Sequence, residues 1–83
     1  MRVFLQQPPS GNESPRYVQL SLAPDLFGGW ELLRESGQVG GRSQLRREQY
    51  LQQEDASTAF EKARDAQLKR GFQVMFTSGA AQP

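Results

Sequence analysis

Four arginines, Arg34, Arg42, Arg46 and Arg47, crowd into one short segment of the chain, with Gln38, Gln44 and Gln49 set among them. A guanidinium offers a rigid fork of N–H donors that matches the oxygens of a phosphate, and amide side chains add neutral donors beside it. The segment therefore has the composition of a phosphate-contacting face. Glu31, Glu35 and Glu48 are interleaved with these cations, and a mixed, solvated sheet face accounts for the same pattern.

Other chemistries find less support. The chain contains no cysteine and no histidine, which removes the thiolate nucleophile, the imidazole base, disulfides and Cys/His zinc sites together. Glu54 and Asp55 are adjacent acids, but acids at the start of a helix complement its dipole, which is the simpler account of the pair. We expect no enzyme, no cofactor and no metal. The tetrad Gly37-Gln38-Val39-Gly40 matches a GxxG nucleic-acid loop, yet strand-like segments flank it where that loop needs helices. Its glycines read instead as those of a hairpin turn requiring positive φ. Trp30 could stack on a base or sugar; in a chain with few large apolar side chains it reads first as core.

The elements that must position these residues come from 83 residues, 36% of them hydrophobic, with a mean hydropathy of -0.69. That is enough for one small domain, set here at 1–77, with residues 78–83 as a disordered tail. Ten basic against nine acidic residues give a net charge of +1, so any phosphate binding must come from local clustering and not from a global field. No apolar run is long enough to cross a membrane and the N-terminus lacks a secretory pattern, so a cytoplasmic protein without membrane partners is expected.

Val3, Phe4 and Leu5 begin a short strand, and "PPSGNESP", from Pro8 to Pro15, is a loop. From Arg16, Val18, Leu20 and Leu22 alternate with Tyr17, Gln19 and Ser21, the period of a half-buried strand that Pro24-Asp25 ends. The stretch "GGWELLRESGQVGG" follows as strand, turn and second strand. Trp30 and Leu32 share one face and Leu33 takes the other, which suggests cover on both sides. Val39 to Tyr50 reads as a solvated edge strand or binding surface. From Glu54 to Arg70 the period changes, and Ala56, Ala59, Phe60, Ala63 and Ala66 form one helical stripe. Asp65 and Lys69 are placed to pair at i and i+4, Gly71 to leave the helix in the left-handed region, and Phe72 to Phe76 to return as a last strand.

The segment "DLFGGWELLRESGQVG", Asp25 to Gly40, resembles the signature of WGR domains, above all their short bacterial versions. In these, a Gly-Trp strand runs into a Trp-Gly-Arg turn. Ala56, Phe60 and "KRGF", Lys69 to Phe72, resemble the helix of that family and its exit, so the similarity runs from about Val3 to Phe76. It implies an α+β fold, a compact antiparallel sheet with one helix packed across it. It also implies nucleic-acid binding. In the DNA-dependent poly(ADP-ribose) polymerases, WGR domains bind DNA near strand breaks, with the motif Trp stacked on a terminal sugar.

Against that pattern, Ser36 stands at the motif Trp, Gly37 keeps the Gly, and Gln38 replaces the Arg. Gln67 stands where the family has Lys, and Phe72 replaces the final Tyr. A serine cannot stack, and a lost stacking contact is worth about 1–3 kcal/mol, up to about a hundredfold in affinity. Two functions follow from these residues. One is weak, sequence-independent DNA binding, at breaks or ends by resemblance, through Arg34, Ser36, Gly37, Gln38, Arg42, Arg46 and Arg47. The other is a protein-interaction module that has lost the DNA contacts and docks a partner through the hairpin face or by strand addition to the Val39–Tyr50 segment.

Overall fold

A computed structural model describes residues 1–8 and 10–79. Strands β1 (Arg2–Gln6), β2 (Arg16–Pro24), β3 (Trp30–Gln38) and β4 (Ser43–Tyr50) precede helix α1 (Gln53–Lys69), and β5 (Gln73–Ser78) closes the chain. They form one antiparallel sheet in the order β4-β3-β2-β1-β5, with the helix packed across one face. This is the expected α+β architecture.

The period of two decides what the helix meets. Val18, Leu20 and Leu22 of β2 are buried, as are Leu32 of β3 and Val3 and Leu5 of β1. Cross-strand partners in an antiparallel pair share a face, and the register Leu22↔Leu32, Val3↔Leu20 and Leu5↔Val18 brings these side chains together. Ala56, Phe60 and Ala63 of α1 close over them, and Phe72 joins from beyond the helix. Trp30 packs at the margin of this core, partly buried.

Several expectations need correction. Among the described residues the sheet is covered on one side only, so Leu33, expected under a second layer, lies half-buried on the helix-free face. The apolar stripe stops at Ala63, while Ala66, expected to extend it, is exposed. β4 begins at Ser43 and not at Val39, because Val39 to Arg42 form the turn. Asp65, expected to pair with Lys69, instead accepts a hydrogen bond from Arg64 Nε at 3.1 Å. Ser78, expected in the tail, ends β5 opposite Arg2; the rest of the tail beyond Gly79 lies outside the described residues.

The helix exit is as anticipated, and its bonding explains why. Gly71 has φ +92°. Its N–H donates to Leu68 O at 3.0 Å, while the N–H of Phe72 donates to Gln67 O at 3.0 Å. These paired bonds of a left-handed helix end satisfy orphan carbonyls and throw Phe72 back onto the core. Replacing Leu32, which is fully buried, by Ala should cost about 2–5 kcal/mol, read as a lowered urea midpoint; a change under about 0.5 kcal/mol would mean that the helix does not pack here.

Candidate nucleic-acid interface

Because the apolar stripe of α1 ends early, the last turns of the helix stand off the sheet and leave a groove. It is about 850 Å³ and runs between the C-terminal half of α1 and the adjoining ends of β2, β3 and β4. Val18, Leu20, Ala63 and Phe72 contribute its apolar floor, and five arginines line it: Arg16, Arg34, Arg42, Arg46 and Arg70. No carboxylate is among the described residues that line it.

The alternation that buries Leu32 also sorts the charges. Arg34 and Ser36 share the face of Leu32, and their partners Arg46 and Gln44 on β4 share it too. Glu31, Glu35 and Arg47 point to the other side, where Arg47 Nη1 lies 3.7 Å from Glu31 Oε2 and Tyr17 donates its hydroxyl proton to Glu35 Oε2 at 2.7 Å. Of the interleaved acids, Glu31 and Glu35 thus fall on the helix-free side, while Glu48, opposite Leu32, stays on the helix side with Arg34 and Arg46. Of the residues expected at the site, Arg34, Ser36, Gly37, Gln38, Arg42 and Arg46 line one groove, whereas Arg47 faces away from it. Arg16 and Arg70 were not anticipated there. The period of β2 carried the signal for Arg16, since it lies on the face of Val18 and Leu20.

Arg34 is the most constrained cation. Its Nη2 donates to Glu48 Oε1 at 3.1 Å, and the Tyr50 hydroxyl donates to the same oxygen at 3.1 Å. Directly across the ladder stands Arg46, and like charges in that position repel at about 5 Å between Cβ atoms. Buried Arg34 Nε and Gln67 Oε1 have no hydrogen-bond partner. The groove therefore combines opposed cations with a donor and an acceptor left unpaired.

The turn that supplies Arg42 is held tightly. Gly41 N–H donates to Gln38 O at 2.9 Å, with Gly40 at φ +79° in the position that requires a residue tolerant of positive φ. Gly37 differs from the expectation that it needs such freedom: its φ is not positive. A side chain there would run into the backbone carbonyl of Arg42 and the Cα of Ser43. Close approach of backbone to backbone, and not a turn conformation, is what demands glycine.

The WGR domain family profile matches residues 1–77. The chain belongs to the WGR domain family. It is 31% identical over 71 residues to the uncharacterized protein y4dW of Sinorhizobium fredii (strain NBRC 101917 / NGR234), a match that covers 86% of this chain and 35% of that protein. The chain thus spans about a third of the length of this relative. No solved structure matches it. A WGR domain is a nucleic-acid-binding type of module, and in this one the residues at the motif positions, Ser36, Gly37 and Gln38, all border the arginine groove. Among the described residues no cluster of His, Cys, Asp or Glu could hold a metal ion, and no helix is long and apolar enough to cross a membrane.

Tyr50 holds its proton above the ordinary value of 10.0, first because burial disfavours the phenolate and then because Glu48 accepts its hydrogen bond. The folded chain consequently binds more protons than the unfolded chain once pH exceeds 10, so its stability falls as pH climbs from there through the folded pKa. In Glu48→Gln the hydroxyl should titrate at lower pH, followed by phenolate absorbance. An unchanged titration would mean that burial alone sets it.

Proposed function

We propose that this WGR domain is a small non-catalytic module, acting in the cytoplasm, that grips the phosphate backbone of DNA in the groove between α1 and the sheet. One observation carries this reading. Arg34 and Arg46 oppose each other across β3 and β4 on the groove face, a repulsion that an anion lying between them would relieve. Arg16, Arg42 and Arg70 extend the same cationic lining along the groove. Contacts of this kind position a nucleic acid without reading its sequence.

The Trp of the family motif would point into this groove from the Ser36 position. Its absence removes the stacking contact and leaves electrostatics as the main source of affinity, so binding is weak and salt-sensitive. Roughly four phosphate contacts imply an affinity loss of about a hundredfold between about 50 and 200 mM salt.

Adjacent residues on β4 give the sharpest test. Arg46→Ala should weaken binding to a nicked duplex by about tenfold and lower the salt slope by about one, since a hydrogen bond to a charged group is worth about 1.5–3 kcal/mol. Arg47→Ala, on the opposite face, should change affinity less than about twofold by the same reasoning, because it removes no phosphate contact. Equal effects from the two substitutions, measured by fluorescence anisotropy, would defeat the groove reading.

Restoring the motif supplies an independent check. Ser36→Trp with Gln38→Arg should tighten binding by up to about a hundredfold through stacking and charge. If the double variant binds no better, the groove is not the DNA face. A second reading is supported by the free outer edge of β4, an exposed strand at the end of the sheet that could take up an extended peptide. That reading calls for no response to DNA from any of these variants.

A further inference from the structure

The two most exposed large apolar side chains of the protein stand side by side. Leu26 is 94% exposed and Phe27 88% exposed, at the apex of the β2–β3 turn. The apex is braced. Asp25 Oδ1 accepts hydrogen bonds from the N–H groups of both Phe27 and Gly29 at 2.8 Å, and Asp25 N–H donates to Gly29 O at 2.9 Å. A hollow of about 180 Å³ beside Phe27 is bordered by Asp25, Gly29, Gln49, Tyr50 and Leu51, and Leu51 is itself 85% exposed. The charges nearest the hollow are carboxylates, while the N-terminal ammonium, bonded to Leu22 O at 3.1 Å, and Arg2, opposite Ser21, lie further along the sheet. Asp25 borders the hollow, Glu54 and Asp55 occupy the first turn of α1 nearby, and no lysine or arginine is among the described residues that line the hollow.

The molecule is therefore polarised. β2 runs from Arg16 at the groove to Pro24 at the apex, β3 and β4 connect the same two ends, and α1 starts at the apex end and finishes at the groove. One end carries arginines around an apolar floor. The other carries an apolar wedge flanked by carboxylates. Both are uncovered, and their chemistries are complementary in charge and polarity.

We propose that the Leu26–Phe27 apex docks into the arginine groove of a second copy of this chain. The groove, at about 850 Å³, has room for both side chains. The edges of Val18 and Phe72, 8% and 6% exposed, lie at its floor, while a guanidinium such as that of Arg46 can lie over the Phe27 ring. Asp25 and Asp55 would then face the cationic rim. A chain cannot fill its own groove, because strands of nine residues hold the two sites about 30 Å apart. The contact joins unlike patches, so it leaves one groove and one apex free on each pair and can repeat head to tail. It also occupies the surface assigned above to phosphate, so association and nucleic-acid binding exclude one another.

Sedimentation velocity of the full chain, without nucleic acid and from micromolar to millimolar concentration, tests this. The wild-type average mass should rise with concentration and fall back as salt is added. Phe27→Asp and Arg46→Glu alter exposed positions, and each alone should remain monomeric, with Leu26→Ser as a second apex variant of the same expected behaviour. The decisive sample is an equimolar mixture of Phe27→Asp and Arg46→Glu. The first keeps an intact groove and the second an intact apex, so the mixture should form a complex of two chains and stop there. A wild type that stays monomeric throughout, association that survives either substitution, or a mixture that fails to pair would each overturn the proposal. Because no DNA enters the experiment, such a failure leaves the phosphate reading standing, and loss of DNA binding in the anisotropy series leaves this one standing.

Discussion

The limited reach of one helix across a five-stranded sheet governs this structure. α1 buries only Ala56, Phe60 and Ala63, and these close on Leu20, Leu22, Leu32 and the apolar side chains of β1. Beyond Ala63 the helix buries no further apolar side chain. Its last turns carry Gln67 and Arg70 above strands that carry Arg16, Arg34 and Arg46. The groove is what remains when the hydrophobic stripe ends before the helix does, so the packing that stabilises the fold also fixes where its polar cleft lies.

The same alternation explains how a chain of net charge +1 can present a cationic cleft. Successive residues of a strand face opposite sides, and here Arg34 and Arg46 share the side of the cleft while Glu31, Glu35 and Arg47 share the other. Near-neutrality of the whole is thus compatible with strong local polarity. The Arg34–Glu48 pair moderates that polarity without removing it, because Arg46 opposes Arg34 and has no carboxylate of its own among the ion pairs of the described residues.

Most of the fold was legible in the sequence. Val18, Leu20 and Leu22 announced a half-buried strand, and Ala56, Phe60 and Ala63 announced a helix, because each set repeats with the period of its element. The exit at Gly71 was legible too, since few residues other than glycine adopt its conformation readily. Depth of cover was harder to read. Leu33 and Ala66 are apolar in the right register, yet whether a second layer or a longer contact exists depends on what the rest of the chain can place there. For the site, spacing could nominate Arg34, Arg42, Arg46 and Arg47 together, but only strand pairing separates Arg46 from Arg47. Arg16 and Arg70 are far from them in sequence and meet them only through the topology.

Gly37 lets the chain at Arg42 and Ser43 lie against β3 so closely that no side chain fits between, and the turn from Val39 to Arg42 sets how β4 aligns with its neighbour. The alignment is an address system for charge. A single residue inserted into that turn and carried as a slip along β4 would turn Arg47 inward with Leu45 and send Arg46 outward. The surface would be rewritten without any change to the amino acids of either strand. For a module of this kind, turn length is as heritable a determinant of what it touches as the identity of its side chains.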